Sequence, residues 1–275
     1  MCVAGCMEAV RAGMSRRGFF GRAGAAAAGF AAVAVAPVPA AAAPRSFERV
    51  IDLTHTLTPE FPSFFGIPGI ELEPRAEFAK DGYNMYVWKL IEHSGTHLDT
   101  PIHFAETGAS VEAILADTLV VPFAVVDVAD KAENDADYLL SRDDLVAWEG
   151  KHGRLPQGCC VAMHAGWGKL ALSDPARFIG RDVDGTLHFP GFAPDAATWL
   201  LKERAVVGLA VDTLSLDHGP STDFKTHKVW LPSGRWGLEN VANLDQAPPV
   251  GATLVVGLPK VKDATGAPVR LFALA

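Results

Sequence analysis

Cysteine is almost missing from the body of this chain. Of four cysteines in 275 residues, Cys2 and Cys6 lie at the extreme N-terminus, and Cys159 and Cys160 are adjacent. Neighbouring cysteines close an ordinary disulfide badly, so no disulfide framework is expected. Cys159 and Cys160 read as buried free thiols, with a vicinal metal or redox site as the alternative. Scarce thiols also argue against a structural zinc site, which is usually thiolate-rich. An excess of basic charge is lacking too: 24 Lys and Arg face 32 Asp and Glu, a formal charge of −8. An acidic body argues against nucleic acid or an anionic membrane as partner. The chain contains no G-x-S-x-G, no G-x-G-x-x-G and no P-loop, which disfavours serine hydrolases and nucleotide enzymes. Internal repeats, charge runs and low-complexity linkers are absent after residue 44. One apolar run, roughly residues 23 to 36, is too short and too Ala-rich for a membrane span, so no stable membrane insertion is expected.

What precedes that run is an address. Ser15-Arg16-Arg17-Gly18-Phe19-Phe20 has the pattern of a twin-arginine export signal, and small residues follow at Ala40 to Ala43. Cleavage is expected after Ala42, and Met14 is an alternative start. Residues 1–42 are therefore set apart as a signal peptide, and the protein is expected in the periplasm. Twin-arginine substrates cross folded, so a metal site would be loaded before export, away from tighter-binding competitors. The remaining residues 43–275 carry 20 basic and 31 acidic side chains. They are enough for one full-sized domain.

Strand-like segments recur through that domain. Arg49 to Leu53 is short and mixed, and Asn84 to Ile91 carries Tyr86, Val87 and Trp88. The stretches from Val120 to Val128, Cys159 to His164, Ala205 to Val211 and Thr253 to Leu258 are largely apolar, as buried strands are. Helices are predicted after Ser110 (through Ala116), after Ser141, and from Asp195 to Glu203. Strands and helices mixed along one domain mean α/β or α+β.

The chemistry concentrates in His93-Ser-Gly-Thr-His97-Leu-Asp99-Thr-Pro-Ile-His103, which holds three of the nine histidines in eleven residues. Such a cluster is costly to bury unless a cation binds it. Gly95 and Pro101 argue against a long helix here. His97 and Asp99, two apart, face the same way in an extended chain. His93 can return to that side across the bend. Two imidazoles and a carboxylate make a catalytic-type set with room for water. His103 is either a fourth ligand or a general acid for a leaving nitrogen. Further ligands are sought in Val211 to His218, and at His227 and Glu239. Taken alone, His227 reads as a surface residue and Glu239 as a helix-surface charge.

These residues together resemble the cyclase family of metal-dependent hydrolases. Its signature H-x-G-T-H-x-D-x-P-x-H matches His93 to His103 at every fixed position. Asp52-Leu53-Thr54, Pro62, Gly166-Trp167, Phe189-Pro190-Gly191 and Asp212-Thr213-Leu-Ser215 resemble other family segments, over roughly residues 50 to 250. The resemblance implies an α/β, swivelling β/β/α single domain and one or two Zn2+ or Mn2+ ions. It implies His93, His97 and Asp99 as metal ligands, Asp99 bridging if two ions bind, and His227 and Glu239 completing the centre. It implies His103 as the general acid/base, and a homodimer or higher homo-oligomer.

The activity so implied is hydrolysis of an aryl amide, as in arylformamidases that convert N-formylkynurenine to kynurenine and formate in tryptophan catabolism. An isatin hydrolase, or another cyclic-amide or lactone hydrolase, is the alternative. A non-catalytic exported metal binder is the rival of another class. Phe61, Phe64, Phe65, Trp88, Trp230 and Trp236 could wall a pocket for a small aromatic amide, although each on its own reads as core or interface. His164 stands where many relatives carry a small hydroxyl residue, and is expected to pack, or to touch the substrate or the metal region.

Overall fold

The computed structural model describes residues 47–275, so the leader segment lies outside the described residues. Four apolar segments become parallel neighbours in one sheet: Val120–Asp127, Cys160–His164, Gly208–Val211 and Trp236–Glu239. Both sheet faces are covered, which is why these strands read as continuous apolar runs rather than alternating ones. Val161 and Met163 point into one core, Cys160 and Ala162 into the other. Cys159 and Cys160 are buried free thiols, as expected. Burial pushes the Cys159 thiol up to about 12.

Antiparallel strands extend this centre on both sides. Thr253–Gly257, Arg270–Leu274 and Val50–Asp52 follow Val120–Asp127 outward. His97–Asp99 and then Gly266–Pro268 follow Trp236–Glu239. The result is a nine-stranded sheet. It curls, because residues from its two ends share one core: Ile51, Leu254 and Leu271 pack in the same cluster as Leu98, Trp236 and Leu238. A bridge between Thr54 and Val241 ties the two ends together. Helices cover the other face, where Leu145, Trp148, Phe178 and Leu200 pack with Val161, Met163 and Leu209. This is the mixed α/β single domain predicted from the sequence. No helix among the described residues is long and apolar enough to cross a membrane.

The helix after Ser141 forms as Arg142–His152 and carries a full capping box. Ser141 Oγ accepts from Asp144 N–H at 3.3 Å, and the Asp144 carboxylate accepts from Ser141 N–H at 2.8 Å. Pro194–Glu203 is the other expected helix. The expected helix from Ser110 to Ala116 is corrected. Two 3-10 turns stand there, Val111–Ala113 and Ala116–Thr118, and the Ser110 side chain caps neither. Val111 N–H instead bonds the Ala264 carbonyl at 3.0 Å, and Ile114 is extended. Tertiary pairing with the C-terminal segment overrides the local helix signal.

The expected strand at 84–91 pairs away from the main sheet. Met85–Leu90 forms a two-stranded antiparallel ribbon with Ile70–Ala76. Partners opposite one another share a face, so Ile70, Leu72 and Pro74 lie with Leu90, Trp88 and Tyr86 on one apolar side. Every residue of Met85–Leu90 is exposed, and Trp88 is 69% exposed.

Candidate metal centre

Strand register assembles the site. His97–Asp99 runs antiparallel to Trp236–Glu239 with His97 opposite Glu239 and Asp99 opposite Gly237. His97, Asp99 and Glu239 therefore project from one face, while Leu98 points into the core. Glu239 is a buried strand residue, not a helix-surface charge, and His227 is buried in the helix Lys225–Trp230 rather than on the surface. Gly95, at φ +62°, makes the bend that returns His93 to the same side. Pro101 opens a 3-10 turn, Pro101–Phe104, that lays His103 over His93 with ring centroids 3.8 Å apart at 23°. The structure thus brings His93, His97, Asp99, His103, His227 and Glu239, all expected site residues, into one cluster.

The distances are those of groups waiting for positive charge. Asp99 Oδ1 lies 2.6 Å from His93 Nδ1 and 3.3 Å from His97 Nε2, and its Oδ2 lies 3.4 Å from His227 Nε2. Glu239 reaches His97 Nε2 at 3.3 Å and His227 Nε2 at 3.1 Å. Burial favours neutral imidazoles, yet Asp99 and Glu239 push His97 up to about 10. Burial likewise opposes a charged His227, but Asp217, Asp99 and Glu239 hold it well above its ordinary value. Burial would raise Asp99, and the three imidazoles hold it well below the usual carboxylate range. Glu239 is raised by burial and by Asp99, and the His227 and His97 imidazoles outweigh both to lower it. Burial pushes His103 down to about 4.

The residues fit a divalent ion. His97 Nε2 and Asp99 Oδ2 are buried without a hydrogen-bond partner, a costly state that coordination removes. His97 Nδ1 donates to the Gly95 carbonyl at 2.9 Å and His227 Nδ1 to Asp217 at 2.6 Å, which leaves each Nε2 facing the carboxylates, where a cation would replace its proton. His97, Asp99 and Glu239, and His93, Asp99 and His103, each gather donor atoms within 4.8 Å of one another. Imidazole and carboxylate donors without thiolate suit zinc or manganese.

A cavity of about 170 Å³ opens over these groups. Phe64, Phe65, Phe104, Leu214 and Phe224 wall it, and the imidazoles and Glu239 form its floor. Of the aromatics weighed from the sequence, Phe64 and Phe65 line it. Phe61, Trp230 and Trp236 belong to the cores, and Trp88 to the exposed ribbon. Phe104 and Phe224 were not expected. Phe104 sits one residue past the motif, and only the 3-10 turn aims it. Phe224 lies in left-handed backbone at φ 50°, against Phe64 and Phe104.

A larger crevice, about 450 Å³, lies elsewhere and includes His164. Four of its ionisable groups pair with one another: Lys131 bonds Asp144, and His164 Nδ1 sits 3.2 Å from Asp127. His164 is absent from the lining of the metal cavity. Asp212 also serves structure, accepting backbone N–H bonds from Ala165, Trp167 and Gly168 at 2.9, 2.9 and 3.3 Å. These bonds tie the Gly166-Trp167 segment to the Asp212-Thr213 segment. Asp217, from the stretch searched for ligands, touches His227 rather than the metal position.

Comparison with known proteins agrees with this geometry. A family profile described as "Putative cyclase" matches residues 51–218. An isatin hydrolase of Roseibium aggregatum is 34% identical over 244 residues, 82% of this chain and 91% of that protein. A kynurenine formamidase of Paracidovorax citrulli is 28% identical over 194 residues, 68% of this chain and 78% of that one. A solved isatin hydrolase bound to the product analogue thioisatinate superposes with a TM-score of 0.77 at 31% identity, covering 82% of this chain and 92% of that one. With its motif, its curled sheet and its buried His and carboxylate cluster, the chain belongs to the cyclase family.

Proposed function

We propose that this protein is a metal-dependent hydrolase of an amide carbon–nitrogen bond next to an aromatic ring. The observation that carries this is a buried imidazole and carboxylate donor set beneath an aromatic-walled cavity, with His103 stacked over one of the ligands. His93, His97, Asp99, His227 and Glu239 would hold one or two divalent ions, Zn2+ or Mn2+. Asp99 turns one oxygen toward His93 and His97 and the other toward His227, so both of its oxygens would be available to bound metal. When bound, a divalent ion supplies Lewis acidity for attack on the amide carbonyl. His103 makes no side-chain hydrogen bond among the described residues, so its ring is free to move a proton from the attacking water to the departing nitrogen. The phenylalanine walls hold the ring of the substrate and exclude water.

The arylformamidase reading takes N-formylkynurenine as substrate. Isatin, a cyclic aryl amide, is the second reading, supported by the 34% identity to an isatin hydrolase over 91% of its length against 28% over 78% for the formamidase. Both use the same floor and differ in the shape of what lies on it. The test is turnover of both compounds by protein loaded with Mn2+ or Zn2+. The expected result is hydrolysis of at least one, abolished by chelation, and abolished by His103→Ala at unchanged metal content. No turnover with metal bound would favour the non-catalytic metal binder, and full activity in His103→Ala would remove the proposed proton carrier.

Export and self-association belong to the same reading. Ser15 to Phe20 supports a twin-arginine route to the periplasm, checked by fractionation of cells expressing the full chain. The exposed apolar ribbon supports a homodimer or higher oligomer. A lone two-stranded ribbon is marginal in water, so a permanent cover from a second copy fits better than a transient partner.

A further inference from the structure

Three imidazoles reach the metal position, and they are not held alike. His97 and His227 each donate through Nδ1, to Gly95 and Asp217, and so present Nε2. His93 is reversed. Its Nε2 lies 3.0 Å from Thr265 Oγ1, and its Nδ1 lies 2.6 Å from Asp99 Oδ1. The Thr265 hydroxyl donates to Glu92 Oε2 at 2.6 Å, and Thr265 N–H reaches the same oxygen at 3.1 Å. A hydroxyl has one hydrogen. With that hydrogen on Glu92, Thr265 Oγ1 only accepts from His93, so Nε2 carries the N–H. Nδ1 is then the ring nitrogen turned toward Asp99 and the carboxylate side of the cluster, the nitrogen left to meet a cation bound there.

The rest of the local structure holds Thr265 in place. Its carbonyl accepts from Thr100 N–H at 3.0 Å and from Thr100 Oγ1 at 2.7 Å. The strand it enters, Gly266–Pro268, pairs with His97–Asp99 in register, Gly266 opposite Asp99. Thr265 is thus clamped between the neighbour of one ligand, Glu92, and the neighbour of another, Thr100.

We propose that Thr265, with Glu92 behind it, is a positioning residue that fixes His93 as an Nδ1 ligand. The centre is then built from one Nδ1 and two Nε2 imidazole donors, and the C-terminal segment is part of the metal site. This rests on the reading of the cluster as a metal centre.

Two measurements on the full chain test it. The first is nitrogen-15 NMR of the Zn2+-loaded, histidine-labelled protein, which reports the bound nitrogen of each ring. One ring bound through Nδ1 and assigned to His93, with His97 and His227 bound through Nε2, is the expected result; Nε2 binding by His93 overturns the proposal. The second is Zn2+ affinity by chelator competition. Thr265→Val removes the hydroxyl at nearly equal volume and is expected to weaken binding about 10-fold or more, while Thr265→Ser stays close to wild type. Wild-type affinity in folded Thr265→Val would overturn the role of Thr265. If that variant does not fold, the NMR assignment on the wild type still decides. A wild type that binds no Zn2+ would overturn the metal-centre reading, and this proposal with it.

Discussion

Asp217 and His227 form a short carboxylate–imidazole pair, 2.6 Å between Oδ2 and Nδ1. The same carboxylate accepts from Thr226 N–H at 2.8 Å and His227 N–H at 3.1 Å, so one side chain both starts the helix and aims its histidine. Outer carboxylates of this kind set ligand orientation and basicity. Asp217→Asn is expected to keep the fold, since its amide oxygen still caps the helix, and to weaken metal binding about 10- to 100-fold. Metal titration with circular dichroism checks both parts. Unchanged affinity would reduce Asp217 to a helix cap.

Gly266 marks a close approach rather than a turn. A Cβ there would lie 2.5 Å from His93 Cε1, 2.9 Å from His93 Nδ1 and 2.7 Å from the Leu98 carbonyl. Gly266→Ala is expected to displace the His93 ring and lower bound metal, and to cost about 1–3 kcal/mol of stability through overpacking. Elemental analysis and thermal unfolding are the measurements. An alanine variant with full metal content would mean that the strand yields at no cost to the site.

Asp144 anchors a structural network remote from the metal. It accepts from Lys131, from Tyr138 Oη at 2.7 Å and from the Ser141 backbone and hydroxyl at 2.8 and 2.7 Å. Burial would raise its pKa, but Lys131, Ser141 and Tyr138 together hold it below the usual value. A lowered folded pKa means stability that is present above the unfolded carboxylate range and is lost as pH falls through the folded value. Asp144→Ala is expected to cost about 1–3 kcal/mol at neutral pH and to flatten the acid limb of the stability curve. Denaturant unfolding from pH 7 down to pH 3 reads both. A parallel acid limb in the variant would exclude Asp144 from it.

The apolar ribbon face offers a solution test. Trp88 and Tyr86 are 69% and 55% exposed, beyond what an isolated aromatic needs. Trp88→Glu with Tyr86→Lys is expected to convert the proposed oligomer to monomer without lowering the unfolding temperature of the domain core. Light scattering on the eluting protein decides, and an oligomer of unchanged mass would place the interface elsewhere.

Sequence reading reached the clustered residues because their spacing is itself geometric. His97 and Asp99 two apart in an extended strand must share a face, and Gly95 with Pro101 must bend the chain on either side. Three of the four parallel strands were legible for a similar reason, since strands covered on both faces are written as unbroken apolar runs; Trp236–Glu239, which ends in a carboxylate, was not. Local capping chemistry was enough for the helix after Ser141. It failed after Ser110, where Val111 N–H found a carbonyl 153 residues further on and the helix gave way to two 3-10 turns.

What the chain alone determined is a motif of imidazoles and a carboxylate suited to a cation, set in an α/β domain. Tertiary structure decided which distant residues complete it. Glu239 meets His97 only because two strands pair antiparallel in one register, and a shift of one residue would turn it into the core. His227, which its local sequence alone would leave on the surface, is buried because Asp217 holds it inward. Thr265 and Glu92 join the site through a strand pairing with no local sequence signature, because side-chain contacts between distant segments are set by sheet topology and not by spacing along the chain.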